Sequence, residues 1–282
     1  MCLAAFTKSL SRFCLLIAIA VLFPCRSLSQ TNIVRVSGMS NPYLAGMPDG
    51  STASSGDTAP AQSPAQVLGF PVTPRSVVRF TASGAVRWNP NQPYYDPEGQ
   101  LDLNTAHLDG PQNGMSDVTM PANALLGVFL DPDRPDATAA PAPLDFSTDA
   151  SRDYLTLSPQ LQQVFFIGNG RVAGGNVLQR VIVPAGATRL FLGTMDGRRW
   201  LTNDGEFIVE VSAEASLAFH RTATNLLVSW PTSAANYNLY TATNLSPSAI
   251  WQRVTNISVV NGRLTATNNL AAPMQFFRLA AP

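Results

Sequence analysis

The sequence FLGTMDGRRWLTNDGEFIVEV, residues Phe191–Val211, predicts two β-strands joined by a loop that is rich in oxygen donors. The second strand is the clearer one, because Phe207, Val209 and Val211 alternate with polar residues and share one face of an extended chain. The loop collects side chains with hard oxygen atoms beside two glycines: Asp196, Thr202, Asn203 and Asp204, with Gly197 and Gly205. Two interpretations are open, a calcium-binding loop and an ordinary surface hairpin, since the same residue types are the commonest in turns.

The composition of the 282-residue chain favours an all-β protein. It has 45% hydrophobic and only 13% charged residues, with 22 prolines and 19 glycines, and such residues are typical of the turns between many short strands. A chain of this length forms one large domain or two modest ones. Basic and acidic residues are equal in number, 18 of each, and no basic patch is apparent. No nucleic-acid partner is therefore expected.

Residues 1–29 have the pattern of a secretory signal peptide. Lys8 and Arg12 precede an apolar run, Phe13–Phe23, that is too short to span a membrane. Small residues at Ser27 and Ser29 then fit a signal peptidase site. We therefore predict cleavage after Ser29 and a secreted protein that is extracellular, on the cell surface or periplasmic. A lipoprotein signal ending at Cys25 is one alternative, and an uncleaved anchor helix is another, which the length of the run disfavours.

All three cysteines, Cys2, Cys14 and Cys25, lie in this leader. The mature chain would therefore have no disulfide framework, no catalytic thiol and no thiolate metal site. It also has no second apolar run of transmembrane length, so we expect no membrane span in it.

Short apolar runs at regular intervals predict a sandwich or jelly roll in the first two thirds of the chain. No helix of real length is predicted. The segment Gly38–Gln66 is rich in Ser, Ala, Pro and Gly, which predicts an irregular surface segment, with disorder as the alternative. The strands that we predict are Thr31–Ser37, Ser76–Trp88, Leu125–Leu130, Gln163–Gly168, Leu178–Val183 and Thr188–Gly193.

The strand pattern restarts after Ser212–Ser216, where we place a domain boundary. Six short strands are predicted beyond it, and the runs LLVSWP, YNLYTATNL and QFFRL resemble the immunoglobulin or fibronectin-III-like modules that end many exported bacterial proteins. The prediction is thus a signal peptide over 1–29, a β-sandwich over 30–213 and a small immunoglobulin-like β-sandwich over 214–282.

The region Ala65–Val211 resembles the calcium-dependent galactophilic lectins of the PA-I type. That family ends its domain with an Asp, a short loop, an Asn-Asn pair, a Gly and a strand that begins with Phe. Asp196, Thr202-Asn203, Gly205 and Phe207 follow that order, with Thr in place of the first Asn and a loop that is one residue shorter. The resemblance implies a galactose-binding-like jelly-roll sandwich. It also implies a calcium ion held by Asp196, Thr202, Asn203 and the carbonyl of Trp88, with Asp204 as a substitute for the lost ligand.

The long polar segment Asn89–Asn113 stands where these lectins have their sugar-contacting loop. The family's His-Pro-Asp-Gln run has a looser counterpart here, so the resemblance implies sugar contacts by His107, Asp109 and Gln112. The alternative is a solvated loop with an incidental histidine. Tyr94 and Tyr95 in the same segment are able either to stack on a sugar or to fix the loop to the core.

No catalytic motif is present: the sequence contains no Gly-x-Ser-x-Gly elbow, His-Glu-x-x-His, P-loop or Rossmann glycine pattern. The acidic run Asp131–Asp136 lacks the spacing of an EF-hand, and a solvated hairpin is its simplest interpretation. We predict a non-enzymatic, secreted, calcium lectin-like protein that binds carbohydrate, galactose-type by the resemblance. The alternatives are an extracellular structural or adhesion module that has kept the lectin-like fold without sugar binding, and a glycoside-active enzyme with paired carboxylates.

Overall fold

A computed structural model describes residues 2–7, 31–53, 56–173, 175–215, 217–235, 237–269 and 274–280, without the side chains of 2–7 and Ser233. Contacts between Cα atoms divide the chain into a unit Thr31–Ser212 and a second unit that contains Ala213–Pro282 together with the N-terminal residues. Residue 1 and residues 8–29 of the predicted leader lie outside the described residues, so cleavage after Ser29 stays a prediction. Residues Cys2–Thr7 form a strand, β1.

The protein is all-β. The single α-helix among the described residues, α1 (Asp149–Arg152), has four residues, and no described helix is long and apolar enough to cross a membrane. The strands of the first unit are β2 (Thr31–Ser37), β3 (Ala65–Gln66), β4 (Val77–Arg87), β5 (Gln100–Ala106), β6 (Val118–Ala122), β7 (Leu125–Leu130), β8 (Leu144–Asp145), β9 (Thr156–Leu157), β10 (Phe165–Phe166), β11 (Arg180–Ile182), β12 (Arg189–Thr194) and β13 (Asp204–Ala213).

Two larger sheets make the sandwich of the first unit, in the strand orders β2-β13-β4-β11-β9 and β10-β7-β12-β3, and a third sheet has the order β5-β6-β8. Strand β13 buries alternate residues, Phe207, Val209 and Val211, because one face meets the core and the other meets solvent. Strand β7 is buried at all six positions, which explains why its sequence is apolar throughout.

The antiparallel pairing of β12 with β7 brings the loop between β12 and β13 to one end of the sandwich. The register runs from Arg189 opposite Leu130 to Thr194 opposite Leu125. Beyond the strand ends, the Met195 amide donates to the carbonyl of Ala124 at 2.9 Å. The loop therefore starts from a fixed point beside the β6–β7 turn.

The second unit is a small two-sheet sandwich, with the strand orders β14-β15-β19-β18 and β1-β20-β16-β17. Its strands are β14 (Ala218–Arg221), β15 (Asn225–Pro231), β16 (Asn238–Ala242), β17 (Gln252–Arg253), β18 (Ile257–Val260), β19 (Arg263–Asn269) and β20 (Met274–Ala280). Trp230, Leu239 and Phe277 from both sheets meet in one buried cluster. The immunoglobulin-like resemblance of this unit stays a prediction.

The predicted strands recur at most of their positions, but the prediction of a continuous loop over Asn89–Asn113 is wrong. That segment contains β5, which pairs with β6 through an irregular register between Gln100 and Asn104. Four of its seven residues are exposed and none is fully buried. Leu101 and Leu103 alternate with polar residues, but both are exposed, so this short period of two does not mark a buried face.

Candidate functional site

The loop from Met195 to Asn203, here called the 195–203 loop, is shaped by its own backbone. The Asp196 Oδ1 accepts the amide of Arg198 at 3.1 Å, which closes the first turn. Arg199 then adopts a left-handed conformation with φ of 67°, and Trp200–Thr202 form a turn of 3₁₀-helix. The Asn203 amide donates to the Trp200 carbonyl at 3.0 Å and ends that turn. The chain therefore doubles back before it enters β13.

A buried aromatic cluster supports the loop from the core side. The Trp200 indole is fully buried, and its Nε1–H donates to the carbonyl of Thr194 at 2.8 Å. Tyr43 meets the Trp200 ring edge-on with centroids 5.8 Å apart, and His107 lies 5.6 Å from it. A side chain with this much buried contact fixes the backbone on both sides of it. The positions of Thr202 and Asn203 are thus set by packing as well as by hydrogen bonds.

Asp196 and Asn203 lie together at the two ends of the loop. Each is almost buried, with 8% and 7% of its surface exposed. Burial raises the pKa of the Asp196 carboxyl to about 6, while the hydrogen bonds to it, from the Arg198 amide and the Asn203 side chain among others, act in the opposite direction. Asp196 Oδ2 and Asn203 Oδ1 are both buried without a hydrogen-bond partner among the described residues. Two acceptor oxygens in one place are therefore left unsatisfied.

Trp88 and Thr202 are also brought together. Trp88 directly follows β4, and its carbonyl oxygen lies 3.3 Å from the Thr202 hydroxyl. The same hydroxyl reaches the Arg199 carbonyl at 3.0 Å. Thr202 directly precedes Asn203 in the chain. Four of the five predicted metal-binding residues therefore lie around the 195–203 loop: Trp88, Asp196, Thr202 and Asn203.

Asp204, the fifth predicted metal ligand, is held elsewhere. Its Oδ2 accepts the Tyr94 hydroxyl at 2.7 Å and pairs with the Arg87 guanidinium at 2.8 Å. These contacts, with the Tyr94 hydrogen bond the largest, lower the pKa of Asp204 to about 2. Successive residues of an extended chain face opposite sides, so the exposed Asp204 carboxylate points away from the side on which Asn203 is buried. The structure does not place it with the other four.

Tyr94 contacts two neighbouring groups, although 51% of its surface is exposed. Its ring lies under the Arg87 guanidinium, 4.5 Å from the ring centroid, and against Gly205, where an added Cβ would come within 3.0 Å of Tyr94 Cε1. Tyr95 is joined to Val86 by two backbone hydrogen bonds of 2.8 and 3.0 Å. Of the two roles considered for these tyrosines, the contacts favour the structural one.

Of the predicted sugar-contacting residues, His107 is placed in the interior. It is only 3% exposed, its ring stacks on Tyr43 with centroids 3.9 Å apart, and its Nδ1 lies 2.6 Å from the Gly110 carbonyl oxygen. Burial lowers the pKa of its imidazole, because it disfavours the charged form of the ring. These contacts give His107 a packing role, and they leave its ring unavailable to a sugar in solution.

Asp109 and Gln112 stay near the surface. Asp109 is exposed, whereas Gln112 is half-buried and exchanges two backbone hydrogen bonds with Met115. The segment that carries Asp109 runs beside the 195–203 loop, because the Leu108 amide donates to the Gly197 carbonyl at 3.0 Å. A Cβ at Gly197 would lie 2.8 Å from the Thr105 hydroxyl, so glycine permits this close approach. Asp109 directly follows Leu108 and therefore lies next to the 195–203 loop. Its role in sugar binding stays a prediction.

Sequence reasoning missed three polar residues that surround the loop: Asn41, Asp57 and Asn123. Asp57 is fully buried and accepts the backbone amides of Trp200 and Leu201, at 3.0 Å each. Asn123, also buried, donates its amide to the Met195 carbonyl at 2.7 Å, and its side-chain oxygen and nitrogen have no partner in the described part of the chain. Asn41 precedes a proline, which is a recognisable cap signal, but nothing in the sequence marks Asp57.

The donor set suits a hard cation in chemistry. Carboxylate, amide, hydroxyl and backbone carbonyl oxygens are the ligands of Ca²⁺, and two of those present are buried oxygens without partners. The described residues contain no group of three or more His, Cys, Asp or Glu side chains that would hold a metal. The candidate site therefore has a single carboxylate and neutral oxygens, and it suits calcium better than zinc or another thiolate- or imidazole-preferring metal.

No family model matches the sequence, and no curated protein matches it. One similar solved structure is described as the EclA N-terminal domain, a PllA-like lectin. It is 17% identical, the match covers 66% of this chain and 98% of that one, and the TM-score is 0.31. Likeness at this level carries no conclusion about a site or a ligand.

Proposed function

We propose that the chain is a secreted, non-enzymatic protein that binds carbohydrate through a calcium ion held at the 195–203 loop. The observation that carries the proposal is the pair of buried oxygens without partners, Asp196 Oδ2 and Asn203 Oδ1. A buried polar atom without a partner costs about 1–3 kcal/mol, and more when it is charged. Native proteins seldom leave two such acceptors side by side, and a cation satisfies both at once.

Electrostatics supports a cation at this place. Asp196 and Asp57 are both buried carboxyl groups, and Asp57 is among the influences that raise the pKa of Asp196. Within the described residues neither carboxyl takes part in an ion pair. Buried charges are normally paired or bound to metal, so a divalent cation would remove an unfavourable feature of the fold.

The ligand set predicts weak binding. Calcium takes six to eight oxygens, and its affinity rises with the charge of the ligands. Asp196 supplies the one carboxylate, while Asn203, Thr202 and the Trp88 carbonyl supply neutral oxygens. We therefore expect a dissociation constant of about 10⁻⁴–10⁻³ M, the range of extracellular calcium modules. Such a site fits the export that the leader predicts.

An ion with this few protein ligands keeps coordination positions for other oxygens. Two neighbouring hydroxyl groups of a sugar are suitable, since they replace two waters at one ion. The exposed Asp109, which lies on the segment that contacts Gly197, is the predicted residue best placed to reach such a sugar. The galactose-type specificity that the resemblance implies is part of the same proposal.

One set of contacts favours the alternative, a lectin-like extracellular module without sugar binding. His107 is packed in the core and Asp204 is paired with Arg87, so two of the eight predicted site residues are committed to other contacts. Under this alternative, the 195–203 loop is a structural connection and a buried water satisfies its free oxygens.

The decisive experiment is calorimetric titration of the full-length mature protein with Ca²⁺, followed by retention on a galactose matrix with Ca²⁺ or with EDTA. We expect saturable calcium binding near millimolar concentration and retention only when calcium is present. Asp204→Asn is the matched control for Asp196→Asn. Each substitution removes one carboxylate from the segment between β12 and the start of β13, but only Asp196 lies in the candidate site. Absence of calcium binding in the wild type would refute the metal site, while calcium binding without retention on any glycan would favour the alternative.

A further inference from the structure

The carboxyl group of Asp57 is the most unusual buried group outside the candidate ligands. It is fully buried, and it comes from a segment far from the 195–203 loop in sequence. Its Oδ1 accepts the Leu201 amide, and its Oδ2 accepts the Trp200 amide and the Asn41 side-chain amide, all at 3.0 Å. These three donors occupy most of the acceptor positions of a carboxylate, which number about four.

The two backbone amides that Asp57 accepts belong to the first two residues of the 3₁₀ turn Trp200–Thr202. These amides have no partner inside the turn, as at the start of any helix. Asp57 therefore acts as the cap of this turn from another part of the chain, in place of Arg199, which makes no side-chain cap. A carboxylate at that position is favourable because the amides carry partial positive charge.

The same turn decides where Thr202 and Asn203 point. Thr202 is its last residue and Asn203 follows directly, so a shift of the turn would separate the Thr202 hydroxyl from the Trp88 carbonyl. Asn41 extends this support, since its Oδ1 accepts the Tyr43 amide at 2.9 Å while its Nδ2 holds Asp57. The segment that contains Asn41 and Asp57 is thereby attached to the candidate cation site.

We propose that Asp57 is a positioning residue for the cation site, which fixes the Trp200–Thr202 turn through the amides of Trp200 and Leu201. The inference rests on the proposed function. Groups that orient metal ligands typically change metal affinity by about 10–100-fold when they are mutated. Asp57→Asn keeps the size of the side chain but removes the charge and one of the acceptor oxygens. We expect it to raise the calcium dissociation constant at least about tenfold.

The test measures calcium affinity of the full-length mature protein by calorimetry, and by terbium luminescence sensitised by the nearby indoles. Asp117→Asn is the control: the Asp117 carboxylate also accepts two backbone amides, from His107 at 3.1 Å and Val118 at 2.7 Å, and the Tyr43 hydroxyl at 3.4 Å. Among the described residues, it is connected to the Trp200–Thr202 turn only through the rings of Tyr43 and His107, which pack on Trp200, whereas Asp57 accepts the amides of the turn itself. We expect both variants to lower the melting temperature in EDTA, and only Asp57→Asn to weaken calcium binding. That difference separates a positioning role from a general loss of stability.

The outcomes distinguish this inference from the proposed function. If the wild type does not bind calcium, the proposed function fails and takes this inference with it. If the wild type binds, Asp196→Asn does not bind, and Asp57→Asn binds like the wild type, only the inference is overturned. If Asp57→Asn does not fold, Asn41→Ser replaces it, because serine keeps the cap on Tyr43 and removes the donor to Asp57. An unchanged dissociation constant in that variant would likewise overturn the inference.

Discussion

Asp196→Asn is expected to have opposite effects on stability with and without calcium. The folded-state pKa of Asp196 is about 6, compared with an ordinary value of 3.8, because burial disfavours the ionised form. In the metal-free protein, folding stability should therefore fall as the pH rises from about 4 to about 6. At pH 7 the carboxylate is ionised at a cost, and asparagine, which is neutral and of the same shape, avoids that cost.

The sizes of the two stability effects can be calculated from the pKa shift of Asp196 and from the expected calcium affinity. Each pKa unit corresponds to about 1.36 kcal/mol, so the shift of Asp196 implies up to about 3 kcal/mol of stability for the metal-free variant at pH 7. Calcium at about 10 mM, with a dissociation constant of about 0.1–1 mM, stabilises the wild type by about 1.4–2.7 kcal/mol. For a unit of the size of Thr31–Ser212, that is a rise in melting temperature of about 3–10 °C.

The assay is thermal unfolding of wild type and variant at pH 7, in EDTA and in 10 mM calcium. We expect the variant to melt above the wild type in EDTA, and only the wild type to gain stability from calcium. Asp204→Asn should keep the full calcium effect, because Asp204 is held by Arg87 and Tyr94. A variant that melts below the wild type in EDTA, or that gains as much from calcium as the wild type, would refute the reasoning.

Three further results are expected. Thr202→Asn should lower the calcium dissociation constant in calorimetry, since an amide oxygen reaches farther toward the ion than the hydroxyl now directed at Trp88. Acid should destabilise the protein through His107: because burial lowers its folded-state pKa, stability is lost as the pH falls through the unfolded value of about 6.5. His107→Gln should reduce the difference in urea unfolding free energy between pH 7.5 and 5.5. In the same assay, Gly205→Ala should lower the free energy of unfolding by more than about 1 kcal/mol beyond the loss caused by Gly186→Ala. Both glycines have positive φ, but only at Gly205 would a Cβ lie 2.3 Å from a carbonyl oxygen.

The strands were predictable where at least one face is buried, as in β13, or where the whole strand is buried, as in β7. Strand β13 alternates strictly, and β4 and β12 were placed within a residue or two of their observed ends. The failures have a physical pattern: β5 has no buried face, and β8 and β9 have two residues each. Elements of that length form because neighbouring strands supply their partners, so their own sequence carries little signal.

The candidate site was predictable only in part, for a different reason. Asp196 and Asn203 are only seven residues apart, so the turn residues and oxygen donors of this loop can be recognised in one short stretch of sequence. The burial of His107 could not be seen along the chain, because its ring stacks on Tyr43 from a distant segment. Asp57 could not be found at all, since its partners are backbone amides, which every residue possesses.

The contacts that distant segments make with the 195–203 loop affect how well the loop would bind a cation. A loop held only by its own turns would have to become ordered when a cation binds. The free-energy cost of that ordering would lower its affinity for the cation. Here the Trp200 ring is fixed by Tyr43 and His107, and the turn is capped by Asp57. The oxygens of Asp196 and Asn203 are therefore already buried and in place before any ion arrives. A site with one carboxylate has little Coulombic attraction to offer, and this preorganisation is what would allow it to hold calcium in the millimolar range.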